Sequence, residues 1–212
     1  MVTKRPCAIV ISGGGSNMAA LLTAMAGPEY PARCVLVASN RPEAGGLAKA
    51  AAAGVPTAVE DHRAHSDRDA FDRALAARLD ASGAELIVLA GFMRLLTPWF
   101  VDRYRDRLVN IHPALLPSFR GLHTHAAALA EGCAVHGCTV HLVRHEVDAG
   151  PILGQGVVPV LAADTPDTLA ARVLRMEHRL YPNALAAYAR GDLRMADGRL
   201  LGQPLALMDP GT

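Results

Sequence analysis

The stretch Cys7-Ala8-Ile9-Val10-Ile11-Ser12-Gly13-Gly14-Gly15-Ser16-Asn17 decides the fold. Five apolar residues without polar alternation describe a strand covered on both faces, as parallel sheets require. Ser12 and three glycines end that strand, and a helical pattern over Asn17–Ala26 follows. Strand, glycine turn and helix in succession open a βαβ unit.

The pattern repeats outward along the chain. Arg33–Ser39, Leu86–Ala90 and Leu108–Ile111 read as further covered strands, and Ala44–Ala53, Arg68–Ser82 and Pro98–Arg105 read as helices between them. Right-handed crossovers then place helices on both faces of the sheet. Beyond that point Cys138–Val143 and Gly154–Val160 read as longer, antiparallel strands. Asp164-Thr165-Pro166 starts a long helix to about Ala189, with proline suited to its first turn. The tail after Gly198 reads as partly extended. The expected class is α/β: a Rossmann-like, doubly wound, mostly parallel sheet with antiparallel C-terminal strands and a long C-terminal helix. One domain over 1–212 is expected, with a nucleotide-phosphate half (1–105) and a catalytic half (106–212).

Composition narrows the function. Net charge is +1 and aromatics are 4% of the chain, so neither charge nor stacking surface favours nucleic acid or membrane as partner. No apolar segment reaches the ~18 residues that span a bilayer. Cys7, Cys34, Cys133 and Cys138 form no metal-binding spacing. Cys7 and Cys34 fall in strands, where a buried inert thiol is expected. A reduced, cytoplasmic chain follows.

The glycine loop suits a phosphate. Glycines let backbone approach a ligand, and the following helix offers unpaired N–H groups. Ser16 or Asn17 could cap that helix or reach the anion. A dinucleotide fits poorly, because a third glycine would fall at Met18 and the second strand ends in Asn40 rather than an acid.

Leu108-Val109-Asn110-Ile111-His112-Pro113 is an apolar strand that turns polar at its carboxyl end. Alternation puts Asn110 and His112 on one face, where ligands of open α/β sheets bind. An amide and an imidazole there can donate to an oxyanion, and the imidazole can move a proton near neutral pH.

With Ala114-Leu115-Leu116-Pro117, this segment resembles the Asn-x-His-Pro-Ser-Leu-Leu-Pro signature of folate-dependent formyltransferases, Ala114 standing for the usual serine. Ile11–Asn17, Val88–Arg94, Gly121–His125, Asp148–Pro151 and Glu177–Pro182 follow in family order. Together they resemble the phosphoribosylglycinamide formyltransferase family of purine synthesis. The resemblance implies transfer of a formyl group from 10-formyltetrahydrofolate, a co-substrate, to the amine of phosphoribosylglycinamide. It implies Gly15, Ser16 and Asn17 on the phosphate, and Glu177 on the ribose hydroxyls. It further implies Arg68, Met93, Arg94, Leu95, Leu96 and Asn110 on folate, with Arg144, His145, Glu146, Val147 and Asp148 forming a loop against its ring. Asn110, His112 and Asp148 would be catalytic.

The residues themselves leave part of this open. Glu177 lies beside the apolar stripe Leu169, Val173, Met176 and Leu180 and lacks a basic neighbour at helical spacing, so it is either a ligand for a diol or a solvated edge. Asp148 sits in a turn, where aspartate is common. His141 and Thr139 share a strand face and could line the site. His123 and His125 lack a third ligand of suitable spacing, so no metal is expected. Alternatives are a formyltetrahydrofolate hydrolase and a non-enzymatic phosphoribosyl-binding module. A methionyl-tRNA formyltransferase would need a further RNA-binding domain. Small molecules are the expected partners, and monomer and homodimer both stay open.

Overall fold

The computed structural model describes residues 3–209. The chain falls into two compact units that meet in sequence between Asn110 and Ile111.

The first unit alternates strand and helix as the apolar runs predict. In order it holds β1 (Arg5–Ile11), α1 (Ser16–Met25), β2 (Ala32–Ser39), α2 (Gly45–Ala52), β3 (Thr57–Val59), a short 3-10 turn, α3 (Arg68–Ala81), β4 (Leu86–Leu89), α4 (Pro98–Arg103) and the start of β5 (Leu108–His112), whose last two residues belong to the second unit. These strands are parallel in the order β5-β4-β1-β2-β3. Cys7 to Ile11 and Leu86 to Val88 are wholly buried, as central strands with helices on both faces should be. Chain order reverses beside β1, so the ends of β1 and β4 frame a topological switch point. Polar side chains lock these ends together. The Ser12 hydroxyl donates to Asn40 Oδ1 at 2.6 Å and accepts the Met93 N–H at 2.8 Å.

The second unit contains α5 (Thr124–Ala130), β6 (Val135–Leu142), β7 (Ile152–Pro159), α6 (Pro166–Arg190), β8 (Arg194–Ala196), β9 (Arg199–Leu201) and β10 (Leu205–Met208). β6 and β7 are antiparallel as expected, and β10 adds to β7 in parallel. α6 begins with Thr165 and Thr168 in a reciprocal capping box and Pro166 in its first turn, and ends at left-handed Gly191. Its predicted stripe Leu169, Val173, Met176 and Leu180 is buried, and the helix packs on β6 and β7. The class is α/β and Rossmann-like, with mostly parallel strands, an antiparallel pair and a long C-terminal helix.

The structure departs from expectation in places. β3, α5 and the β8–β9 hairpin were not foreseen. Cys34 is only partly buried, so the expectation of an enclosed thiol holds for Cys7 but not for Cys34. Neither Ser16 nor Asn17 caps α1. The cap is Gly15, in the left-handed region at φ 66° with no side-chain hydrogen bond. Glycine is required there, since a Cβ would sit 3.0 Å from the Gly46 Cα.

Candidate active site

In the first unit, the glycine loop forms one wall of a cavity of about 410 Å³. Gly15, Ser16 and Asn17 all line it, together with Arg41, Lys49 and Met93. Lys49 is anchored by donating to the Gly14 carbonyl at 2.7 Å, and the Gly46 N–H donates to Gly13 at 3.0 Å. The α1 N-terminus and two cations converge on this space, an environment that favours a compact anion. Arg41 and Lys49 were not found by sequence reasoning. The signal was weak: one basic residue just past a strand and one on the next helix.

The segment after β4 is also in this unit. Met93 and Leu95 expose large apolar side chains at 72% and 59%, an open surface suited to a flat, partly apolar ligand. The segment is tied down from beneath. The Thr97 N–H donates to Asp72 Oδ2 at 2.7 Å, and the Arg94 guanidinium stacks 4.8 Å from the Phe71 ring. Burial pushes the Asp72 carboxyl up. Leu96 lies partly buried in the same segment, and Arg68 is the exposed first residue of α3. Asn110, partly exposed, is paired with Leu89 across β5 and β4.

In the second unit, His112 is the last residue of β5 and is 5% exposed. Its Nδ1 lies 3.2 Å from Asp148 Oδ2, and its Nε2 lies 2.9 Å from the Phe119 carbonyl. Both partners are acceptors. A neutral imidazole can donate to only one of them, whereas an imidazolium satisfies both.

Asp148 adopts a left-handed conformation at φ 52°, which aims its carboxylate back toward β5 and β6. Oδ2 also accepts the Gly121 N–H at 3.0 Å, and Oδ1 lies 3.6 Å from His141 Nε2. Burial pushes this carboxyl up, but the neighbouring His141 side chain, the Gly121 N–H and the charge of His112 outweigh it. The result is a carboxyl held below its ordinary value. The loop that carries Asp148 is pressed against β6 just after it, at Gly150, where a Cβ would lie 1.7 Å from the Leu142 carbonyl oxygen. Within this loop Glu146 pairs with Arg120, and His145 and Val147 face outward. Arg144 donates to the Val143 carbonyl at 2.9 Å.

The structure therefore brings His112 and Asp148 into contact and adds His141 on the far side of the carboxylate. Thr139 does not join them. Its hydroxyl donates to the Ala114 carbonyl at 2.7 Å and accepts the Leu116 N–H at 3.0 Å, which holds the chain just after His112. Glu177 is 6% exposed, which removes the solvated-edge reading. His125 and His136 meet edge to face at 5.3 Å, and burial lowers both, His136 to about 4. Among the described residues no three His, Cys, Asp or Glu side chains cluster as metal ligands would. Among them, too, no helix is long and apolar enough to cross a membrane.

The formyl transferase family model matches residues 5–185. The phosphoribosylglycinamide formyltransferase of Escherichia coli K12 is 43% identical over 187 residues, covering 88% of each chain. The trifunctional purine biosynthetic protein adenosine-3 of Gallus gallus is 46% identical over 194 residues. The match takes in 92% of this chain but only 19% of that larger protein's length. Among solved structures, the phosphoribosylglycinamide formyltransferase of Brucella melitensis superposes with a TM-score of 0.85 at 51% identity. It covers 93% of this chain and all of its own.

Proposed function

Because the chain belongs to the formyl transferase family, we propose that it transfers a formyl group from 10-formyltetrahydrofolate to the amine of 5'-phosphoribosylglycinamide, a step of de novo purine synthesis. The observation that carries the chemistry is the ionised Asp148 carboxylate in contact with His112 at the end of β5.

In this reading the nucleotide's phosphate occupies the cavity at Gly15, Ser16 and Asn17, with Arg41 and Lys49 supplying charge. Glu177 receives the ribose hydroxyls. Met93, Arg94, Leu95, Leu96, Arg68 and Asn110 hold the folate, and the Arg144–Asp148 loop covers its ring. No metal takes part.

The amine attacks the formyl carbon directly, without a covalent enzyme intermediate. Negative charge then develops on the formyl oxygen. His112, as imidazolium, and the Asn110 amide stabilise it. For His112 to donate, the substrate oxygen takes the place of the Phe119 carbonyl at Nε2. Asp148 keeps the opposite ring nitrogen protonated, steadies the cation and assists the proton's passage from amine to the departing folate nitrogen. Holding both substrates together supplies much of the rate. A reducing cytoplasm is the setting proposed.

The test is spectrophotometric. Purified protein, a 10-formylfolate analogue and phosphoribosylglycinamide should give deformylation that requires the glycinamide. Deformylation without it would replace this reading with a hydrolase, and none at all would replace it with a binding module.

A further inference from the structure

Formyl transfer uses neither Cys7 nor Cys34, yet the fold sets these two thiols side by side. Cys7 on β1 and Cys34 on β2 are direct partners in the parallel register, and a bulge on β2 follows them at once. Neighbouring strands run about 4.8 Å apart. A disulfide spans Cα separations of roughly 4.4–6.8 Å, so the backbone already stands at bridging distance. Paired residues of parallel strands also present their side chains to the same face of the sheet. The Cys34 thiol donates to the Leu36 carbonyl at 3.4 Å.

Their surroundings are unequal. Cys7 is wholly buried, with its sulfur 3.9 Å from the Met25 sulfur. Cys34 is partly exposed and lines a cavity of about 610 Å³ with Leu22, Arg33 and Lys49. A small oxidant can therefore reach Cys34 directly, and Cys7 only through Cys34.

We propose that Cys34 is a reactive thiol that reduces hydroperoxides and that Cys7 resolves its oxidised form as a Cys7–Cys34 disulfide. The Cys34 sulfur attacks one peroxide oxygen and the O–O bond breaks. Cys34 becomes a sulfenic acid, and the other oxygen leaves as water or an alcohol. The Cys7 sulfur then attacks the Cys34 sulfur, the S–O bond breaks, and hydroxide departs with the Cys7 proton as a second water. Two thiols lose two electrons and the peroxide gains them. The neighbouring Cys7 side chain and the Leu36 backbone hold the Cys34 thiol below its ordinary value against the effect of burial, which favours the thiolate that attacks. The bond would form near the start of β1, at the end opposite the glycine loop that follows Ile11.

The test treats the full chain with hydrogen peroxide, alkylates the remaining thiols and maps the peptides by mass spectrometry. The expected result is loss of two hydrogens, a linked pair of peptides from β1 and β2, and reversal by dithiothreitol. Cys133 is also partly exposed and is the internal reference. It should react at least about tenfold more slowly. In Cys7→Ser, Cys34 should advance to the sulfinic acid, and in Cys34→Ser, Cys7 should stay a thiol while formyl transfer is unchanged. Equal oxidation of Cys133, no Cys7–Cys34 link, or an unchanged Cys34 product in Cys7→Ser would each overturn the proposal. The map of the unmodified sequence decides the matter by itself if a variant does not fold.

Discussion

Replacing Asp148 with asparagine removes one charge and little else. The amide oxygen can still accept the Gly121 N–H, so the turn keeps its anchor. What is lost is the negative charge 3.2 Å from His112 Nδ1 and 3.6 Å from His141 Nε2. At an effective dielectric of about 20, opposite unit charges about 3.2 Å apart attract by roughly 5 kcal/mol. The desolvation of this nearly buried pair offsets about half of that. The remainder, roughly 2–3 kcal/mol of stabilisation of the imidazolium, is lost where it matters most, as charge develops on the formyl oxygen. Turnover should fall roughly 30- to 160-fold. The assay is kcat from folate absorbance at saturating substrates, with thermal melting as a control for folding. Turnover within threefold of the parent, in a variant that melts normally, would refute the role given to Asp148.

Gly150→Ala should be as damaging for a different reason. Its Cβ meets the Leu142 carbonyl oxygen, so the Asp148 turn must move, and both stability and turnover should drop, checked by urea unfolding and kcat. Arg41→Ala and Lys49→Ala should raise the KM for phosphoribosylglycinamide about tenfold or more while leaving the KM for folate nearly unchanged, because both line the glycine-loop cavity. Asp72→Asn tests linkage. Burial raises the folded Asp72 carboxyl above its unfolded value, so the native state binds the proton more tightly and the ionised group costs stability as pH rises past the unfolded value of about 3.9. Urea titrations should therefore show the variant gaining on the parent between pH 4 and pH 7, and a gain confined to pH 4 would contradict that sign.

How far the sequence could be read depended on local physics. β1, β4 and β5 are short apolar runs with no competing pattern, and α6 carries both a capping signal and a long stripe. β3 is three residues, Thr57–Val59, too short for alternation to register. α5, Thr-His-Ala-Ala-Ala-Leu-Ala, starts from left-handed His123 without a side-chain cap, so it lacks the start signal that marked α6. The β8–β9 hairpin did have a signal in Asp197-Gly198, both at positive φ, that ordinarily marks a tight turn. At the site, Asn110 and His112 were legible because strand alternation places them. Asp148 was not, since its direction comes from a left-handed backbone that spacing does not reveal. His141 was legible as a residue on a strand face that could line the site, but only the fold shows that it meets the Asp148 carboxylate. Ser16 and Asn17 were read as either caps or anion ligands because their types suit both, whereas Gly15 took the cap by tolerating positive φ.

The central claim is that the formyl group passes intact to an amine. Incubating the chain with phosphoribosylglycinamide and a folate carrying a 13C-labelled formyl group, and following the label by NMR, tests it directly. Label should appear in the formamide of the glycinamide product, in step with folate loss. Label appearing as free formate, or remaining on folate, would contradict it.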